Sequence, residues 1–116
     1  MTSTTPKFPL FFYRASSGKE PVRAWLVEMP DADCKSIGLD LMRAQFRWPV
    51  GMPLCRPMGQ GLFEVRSTLA SSRIARVLLC QHGDHLVALH GFIKKTQATP
   101  KADLDLALQR MKEIQK

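Results

Sequence analysis

Leu89-His90-Gly91-Phe92-Ile93-Lys94-Lys95-Thr96-Gln97-Ala98-Thr99-Pro100 is the stretch on which the fold turns. An apolar run passes through a glycine, emits two adjacent lysines and then meets Thr-Pro, a pair that opens helices. Beyond it Leu104, Ala107, Leu108, Met111 and Ile114 recur at helical spacing, with Lys101, Asp105, Gln109 and Lys112 on the other face. The stretch therefore reads as a strand leaving a sheet and feeding a C-terminal helix capped by Thr99-Pro100.

Immediately upstream the period is two. Leu62–Ser67 alternates, Arg73–Gln81 is rich in Val, Leu and Ile, and His85–Phe92 follows the tight-turn signal His82-Gly83-Asp84. Three strands with such short links predict an antiparallel meander. Nearer the N-terminus, Phe8–Arg14 is an aromatic-rich strand with Pro9 at its start. Glu20-Pro21 opens a helix that carries Val22, Trp25, Leu26 and Met29 and stops at Pro30. Asp31 or Asp33 then caps a second helix running to about Arg47. Its expected apolar stripe is Ile37, Leu41, Met42 and Phe46, with Lys35, Asp40, Arg43 and Arg47 on the wet side. Trp48–Gly61, with three prolines and three glycines, reads as loop. The expectation is an α+β domain of order β-α-α-β-β-β-α, a small curved antiparallel sheet with an N-terminal helical hairpin and a C-terminal helix, all covering one face. Residues 1–7 are expected as a disordered lead and residues 8–116 as a single domain.

Charge speaks to partners. Seventeen Lys and Arg against ten Asp and Glu leave a net charge of +7, which attracts polyanions and acidic protein segments alike. Cys34, Cys55 and Cys80 lie far apart without a C-x-x-C, so neither a zinc ribbon nor a disulfide framework is indicated. The apolar runs fall well short of the ~20 residues that span a bilayer, and the Thr/Ser-rich N-terminus lacks a signal core, so a reduced cytoplasmic setting without membrane contact is expected. There is no Walker loop, G-x-G-x-x-G, H-E-x-x-H or G-x-S-x-G.

The meander gathers cations. Arg66 ends one strand and Arg73 begins the next, while Lys94 and Lys95 follow the third, whose end returns beside Arg73. Guanidinium groups offer planar bidentate donors to phosphate, and lysines add point charge. Arg76, three residues from Arg73, points to the opposite face and is the weaker nucleic-acid contact. His90 is a candidate general base or ribose hydrogen-bond partner, against the alternative of a half-buried histidine satisfied by backbone. Glu64 shares the face of Arg66 and either pairs with an arginine or accepts a proton. His82, Asp84 and His85 flank a turn but bring no third strong metal ligand, so no metal or other cofactor is assigned.

Together Gly61-Leu62-Phe63-Glu64-Val65-Arg66, Ser72-Arg73-Ile74-Ala75-Arg76 and the Leu89–Pro100 stretch resemble the phage-derived, HigB-like branch of the RelE/ParE toxin superfamily. The resemblance runs from Phe8 to Lys112. It implies a RelE-like fold and the toxin of a type II toxin–antitoxin pair, an endoribonuclease that cuts mRNA, with the ribosome as a candidate setting, and needs no metal. It implies a HigA-like helix-turn-helix antitoxin as partner. Arg66 and Arg73 fall where the family sets phosphate-binding arginines, Lys94 and Lys95 fall in its basic segment after the last strand, and His90 is an additional member. Some relatives carry a tyrosine near the C-terminus; here the final helix has none and the only tyrosine is Tyr13. A catalytically inactive RNA-binding or interaction module on the same fold is the alternative.

Overall fold

A computed structural model describes residues 6–94 and 98–115. Most of the expected disordered lead, and Lys95, lie outside the described residues. The elements are β1 (Leu10–Phe12), α1 (Pro21–Glu28), α2 (Asp31–Arg47), β2 (Cys55–Gly59), β3 (Leu62–Thr68), β4 (Ile74–His82), β5 (His85–Lys94) and α3 (Lys101–Ile114). The α+β class and the order of the anticipated elements hold. One strand is added: β2 occupies part of the stretch expected as loop, and its Pro57 is tolerated because β2 is an edge strand.

The sheet runs β1-β5-β4-β3-β2. The β3-β4-β5 meander is antiparallel as expected, with Val65 opposite Val77 and Val77 opposite Gly91. The sheet as a whole is mixed, because β1 pairs parallel with β5, Leu10 against Leu86. Nor do the helices share one face. Val65, Ala75, Val77, Leu79, Leu86 and Ala88 pack with Leu26, Ile37, Leu41 and Ala44 of the helical hairpin. The alternate residues Leu62, Leu78, Cys80 and Val87 pack with Ala107 and Met111 of α3. Successive strand side chains point to opposite faces, so a meander apolar on both faces needs a cover on each side.

Helix entry also departs from expectation. Pro30 and Pro100 sit at the N-cap positions of α2 and α3, and neither helix has a side-chain cap. Asp33 and Thr99, expected as caps, are used elsewhere. On α2 the buried stripe is Asp33, Ile37, Leu41 and Ala44. Met42 and Phe46, expected within it, are 48% and 38% exposed.

Two local devices shape β5. Leu78 pairs with His90 and Leu79 with Ala88, leaving Leu89 without an opposite residue, a bulge that turns both Leu89 and His90 toward α3. Next to it, a Cβ on Gly91 would lie 2.4 Å from Cζ3 of Trp25, so only glycine lets the α1 indole seat against the strand.

Candidate nucleic-acid cleft

β3 outruns its edge partner. β2 begins at Cys55 opposite Val65, and beyond the bond from Arg66 N–H to the Leu54 carbonyl, β3 continues to Thr68. Beside this free edge lies a cleft of about 810 Å³, lined by Asp40, Arg43 and Arg47 of α2, Pro53 and Leu54, and Arg66, Thr68 and Ile74 of the sheet. Residues 40, 43 and 47 fall on one flank of a helix with 3.6 residues per turn, which is why α2 offers both arginines to the same side. Arg43 donates to Asp40 at 2.7 Å and is largely exposed. Among the described residues the cleft thus carries three guanidinium groups against one carboxylate. Arg43 and Arg47 were assigned to the wet side of the helix; their four-residue spacing was the sequence signal for a shared flank.

Arg66 and Arg76 are direct cross-strand neighbours and share a face with Glu64. Glu64 is 1% exposed and Arg76 0%. One carboxylate oxygen of Glu64 lies 3.7 Å from Nε of Arg76 and 3.9 Å from Nε of Arg66. The Thr99 hydroxyl donates to the other, and Arg76 donates to the Ala98 carbonyl. The expected pairing of Glu64 with arginine is present. Arg76, expected as a nucleic-acid contact, instead neutralises a buried carboxylate and ties down the segment leading into α3, so in this conformation it offers no surface to a ligand.

Arg73 does not join Arg66. It precedes β4 and reaches the helical-hairpin side, where both terminal nitrogens hold Asp33 at 2.9 and 3.0 Å and Nε donates to the Ala70 carbonyl. This bidentate pair is the geometry a guanidinium would offer a phosphate. The bond to Asp33 raises the Arg73 pKa above its already high ordinary value. Lys94 pairs through its backbone with Ile74, so β5 ends beside the cleft, and Lys95 lies outside the described residues. His90 pairs opposite Leu78, four residues along β4 from Ile74, or about 13 Å. Its Nε2 lies 2.6 Å from Asp103 of α3, its ring stacks on Phe92, and it borders a separate 220 Å³ pocket with Trp25, Gly91 and Arg110. Of the four cations expected at one edge, Arg66 and the end of β5, which carries Lys94, adjoin the cleft, whereas Arg73 faces α2; His90, the separate candidate base, faces α3.

Other nucleophiles and bases are held back. Burial pushes Cys80 up to about 11, and burial with the Glu64 charge does the same for Cys55, so both stay thiols at neutral pH. Tyr13 donates to Glu113 beneath the Arg110 guanidinium, and that hydrogen bond, with burial, raises its pKa. Among the described residues no group of three His, Cys, Asp or Glu could hold a metal ion, and no helix is long and apolar enough to cross a membrane.

Residues 24–112 match the model of the family described as phage-derived protein Gp49-like. The chain belongs to this Gp49-like family of RelE/HigB-type toxins. It is also 31% identical over 102 residues to a protein of Mycobacterium tuberculosis named probable endoribonuclease HigB1, found in two strains, across 87% of this chain and 80% of that relative. The matched Gp49-like region contains both walls of the cleft, the buried Glu64–Arg76 pair and the end of β5.

Proposed function

We propose that this Gp49-like protein is the toxin of a type II toxin–antitoxin pair and cleaves RNA without a metal, mRNA on the ribosome being its natural target. The observation that carries the reading is the cleft of Arg43, Arg47 and Arg66 beside the end of β5. Three guanidinium groups around an open groove supply the positive charge and the hydrogen-bond donors that a phosphate backbone takes. In the proposed reaction a ribose 2′-oxygen bonds to the adjacent phosphorus while the bond from phosphorus to the 5′-oxygen breaks. The 2′-proton passes to a base, the 5′-oxygen takes up a proton, and the products are a 2′,3′-cyclic phosphate and a 5′-hydroxyl. Arg66 would neutralise the charge gathering at phosphorus, with Lys94 and Lys95 as proton-donor candidates because β5 ends at Ile74 on the cleft wall. A HigA-like antitoxin is the proposed neutralising partner.

The second reading, an RNA-gripping module that does not cut, is favoured by one feature of the lining. Its only carboxylate among the described residues, Asp40, is held by Arg43, and no histidine borders the cleft. Incubating the purified chain with end-labelled RNA, free and ribosome-bound, in EDTA separates the two. Cleavage leaving cyclic phosphate ends, reduced about 100-fold or more in Arg66→Ala, supports the nuclease. Binding without scission selects the gripping module. Full activity in an Arg43→Ala/Arg47→Ala/Arg66→Ala variant would remove the cleft from the mechanism.

A further inference from the structure

Three of the exposed large apolar side chains lie on a single stripe of α2: Leu39 at 60%, Met42 at 48% and Phe46 at 38%. Singly exposed apolar residues are ordinary, but an aligned set on one helix marks an interaction face. With 100° between successive residues, the stripe lies almost opposite the buried Ile37–Leu41–Ala44 face. Its flanks differ. Turning about 40–80° from Leu39 toward the cleft brings Arg43 and then Arg47, with Asp40, held by Arg43, about 20° further on, whereas the other flank presents Gly38 and Gln45, with Asp31 in the first turn. Lys35 sits within the stripe one turn before Leu39.

We propose that the Leu39–Met42–Phe46 stripe is a docking surface for an acidic amphipathic helix of a protein partner, whose carboxylates meet Arg43 and Arg47. Apolar anchors at i, i+3 and i+7 are the pattern by which one helix receives another, and the one-sided arginines set the polarity of what binds. A second copy of this chain fits poorly, because it would bring the same cations against each other in a protein of net charge +7. Nucleic acid fits poorly as well, because Leu, Met and Phe at the centre of the patch give no hydrogen bonds to phosphate. The inference does not depend on RNA cleavage. Since Arg43 and Arg47 also wall the cleft, partner and RNA compete for them.

The test uses the whole chain and a synthetic helical peptide of about 18 residues, long enough to hold helix. It carries leucines at i, i+3 and i+7 and glutamates along one flank; the control carries lysines in their place. Fluorescence anisotropy is expected to give binding at least about tenfold tighter for the glutamate peptide than for the control. Met42→Gln/Phe46→Gln is expected to weaken binding of the glutamate peptide at least about tenfold, with the melting temperature kept and RNA affinity within about twofold, since neither side chain is buried in the core and no charge changes. Labelled RNA is expected to be displaced by the glutamate peptide. The inference is overturned by equal binding of the two peptides, by no binding at millimolar concentration, or by retained binding in the double variant. It is also overturned by sedimentation showing a dimer that Met42→Gln/Phe46→Gln dissolves, which would assign the stripe to a second copy. Loss of cleavage activity with peptide binding intact would count against the nuclease and leave this surface standing.

Discussion

Replacing Glu64 by glutamine keeps the volume and the acceptor for Thr99 but removes the charge that Arg76 faces at 3.7 Å with 0% exposure. No cavity opens, so the cost is the uncompensated guanidinium. Breaking one side of a buried ion pair costs about 3–5 kcal/mol, a large part of the ~5–15 kcal/mol that holds a domain together. For a chain of this size, about 4 °C is lost per kcal/mol, so Glu64→Gln is expected to melt about 12–20 °C below the parent. Circular dichroism melts and urea titrations read this directly, the urea midpoint moving while the slope stays constant. The double variant Glu64→Gln/Arg76→Met removes both buried charges and is expected to recover most of the loss, since neutral replacements of buried pairs are often harmless. A single variant that melts within about 5 °C of the parent, or a double variant no more stable than the single, would refute the reasoning that these two charges compensate each other.

Gly91→Ala forces a methyl to within 2.4 Å of the Trp25 ring; overpacking of this kind is expected to cost about 1–3 kcal/mol in urea unfolding, and a smaller residue at position 25 to restore part of it. RNA affinity is expected to fall with salt, and removing Arg43, Arg47 and Arg66 together to flatten the log–log slope by about 2, from ~0.7 for each phosphate contact on a single strand. The thiols predict an alkaline limit. Cys55 and Cys80 are raised from 9.0 to about 11, so between those values the unfolded chain releases protons that the folded one still holds. Stability therefore falls as pH rises through 9 to 11, by about 2–3 kcal/mol per thiol, and is unaffected by these groups below that window. Denaturant midpoints across this range measure it, and Cys55→Ala/Cys80→Ala is expected to remove the thiols' share of the dependence, leaving that of Tyr13, whose pKa is also raised.

The regular elements were legible because their signals are local. Period-two runs at Leu62–Ser67, Arg73–Gln81 and His85–Phe92 became β3, β4 and β5, and the apolar repeat after Pro100 became α3. β2 escaped because Pro57 argues against a strand until an edge position excuses it. Arg66 was legible as a cleft residue, since it lies near the end of a strand beside a short link. Arg43 and Arg47 were visible on the wet side of α2, but what lies across from that side depends on the docking of the helix.

The amino-acid order by itself determined the class of the fold, the sequence of all its elements except β2 and the excess of positive charge, all of which follow from periodicity and composition. Only the tertiary structure decided which cations act together. Arg66 and Arg73 are seven residues apart and bracket one short turn, yet the strand register sets Arg66 beside Arg76, while the packing of α2 against the sheet gives Arg73 to Asp33. A side chain's direction alternates along a strand, but its partner is chosen by whatever layer covers that face, and no local pattern records that choice.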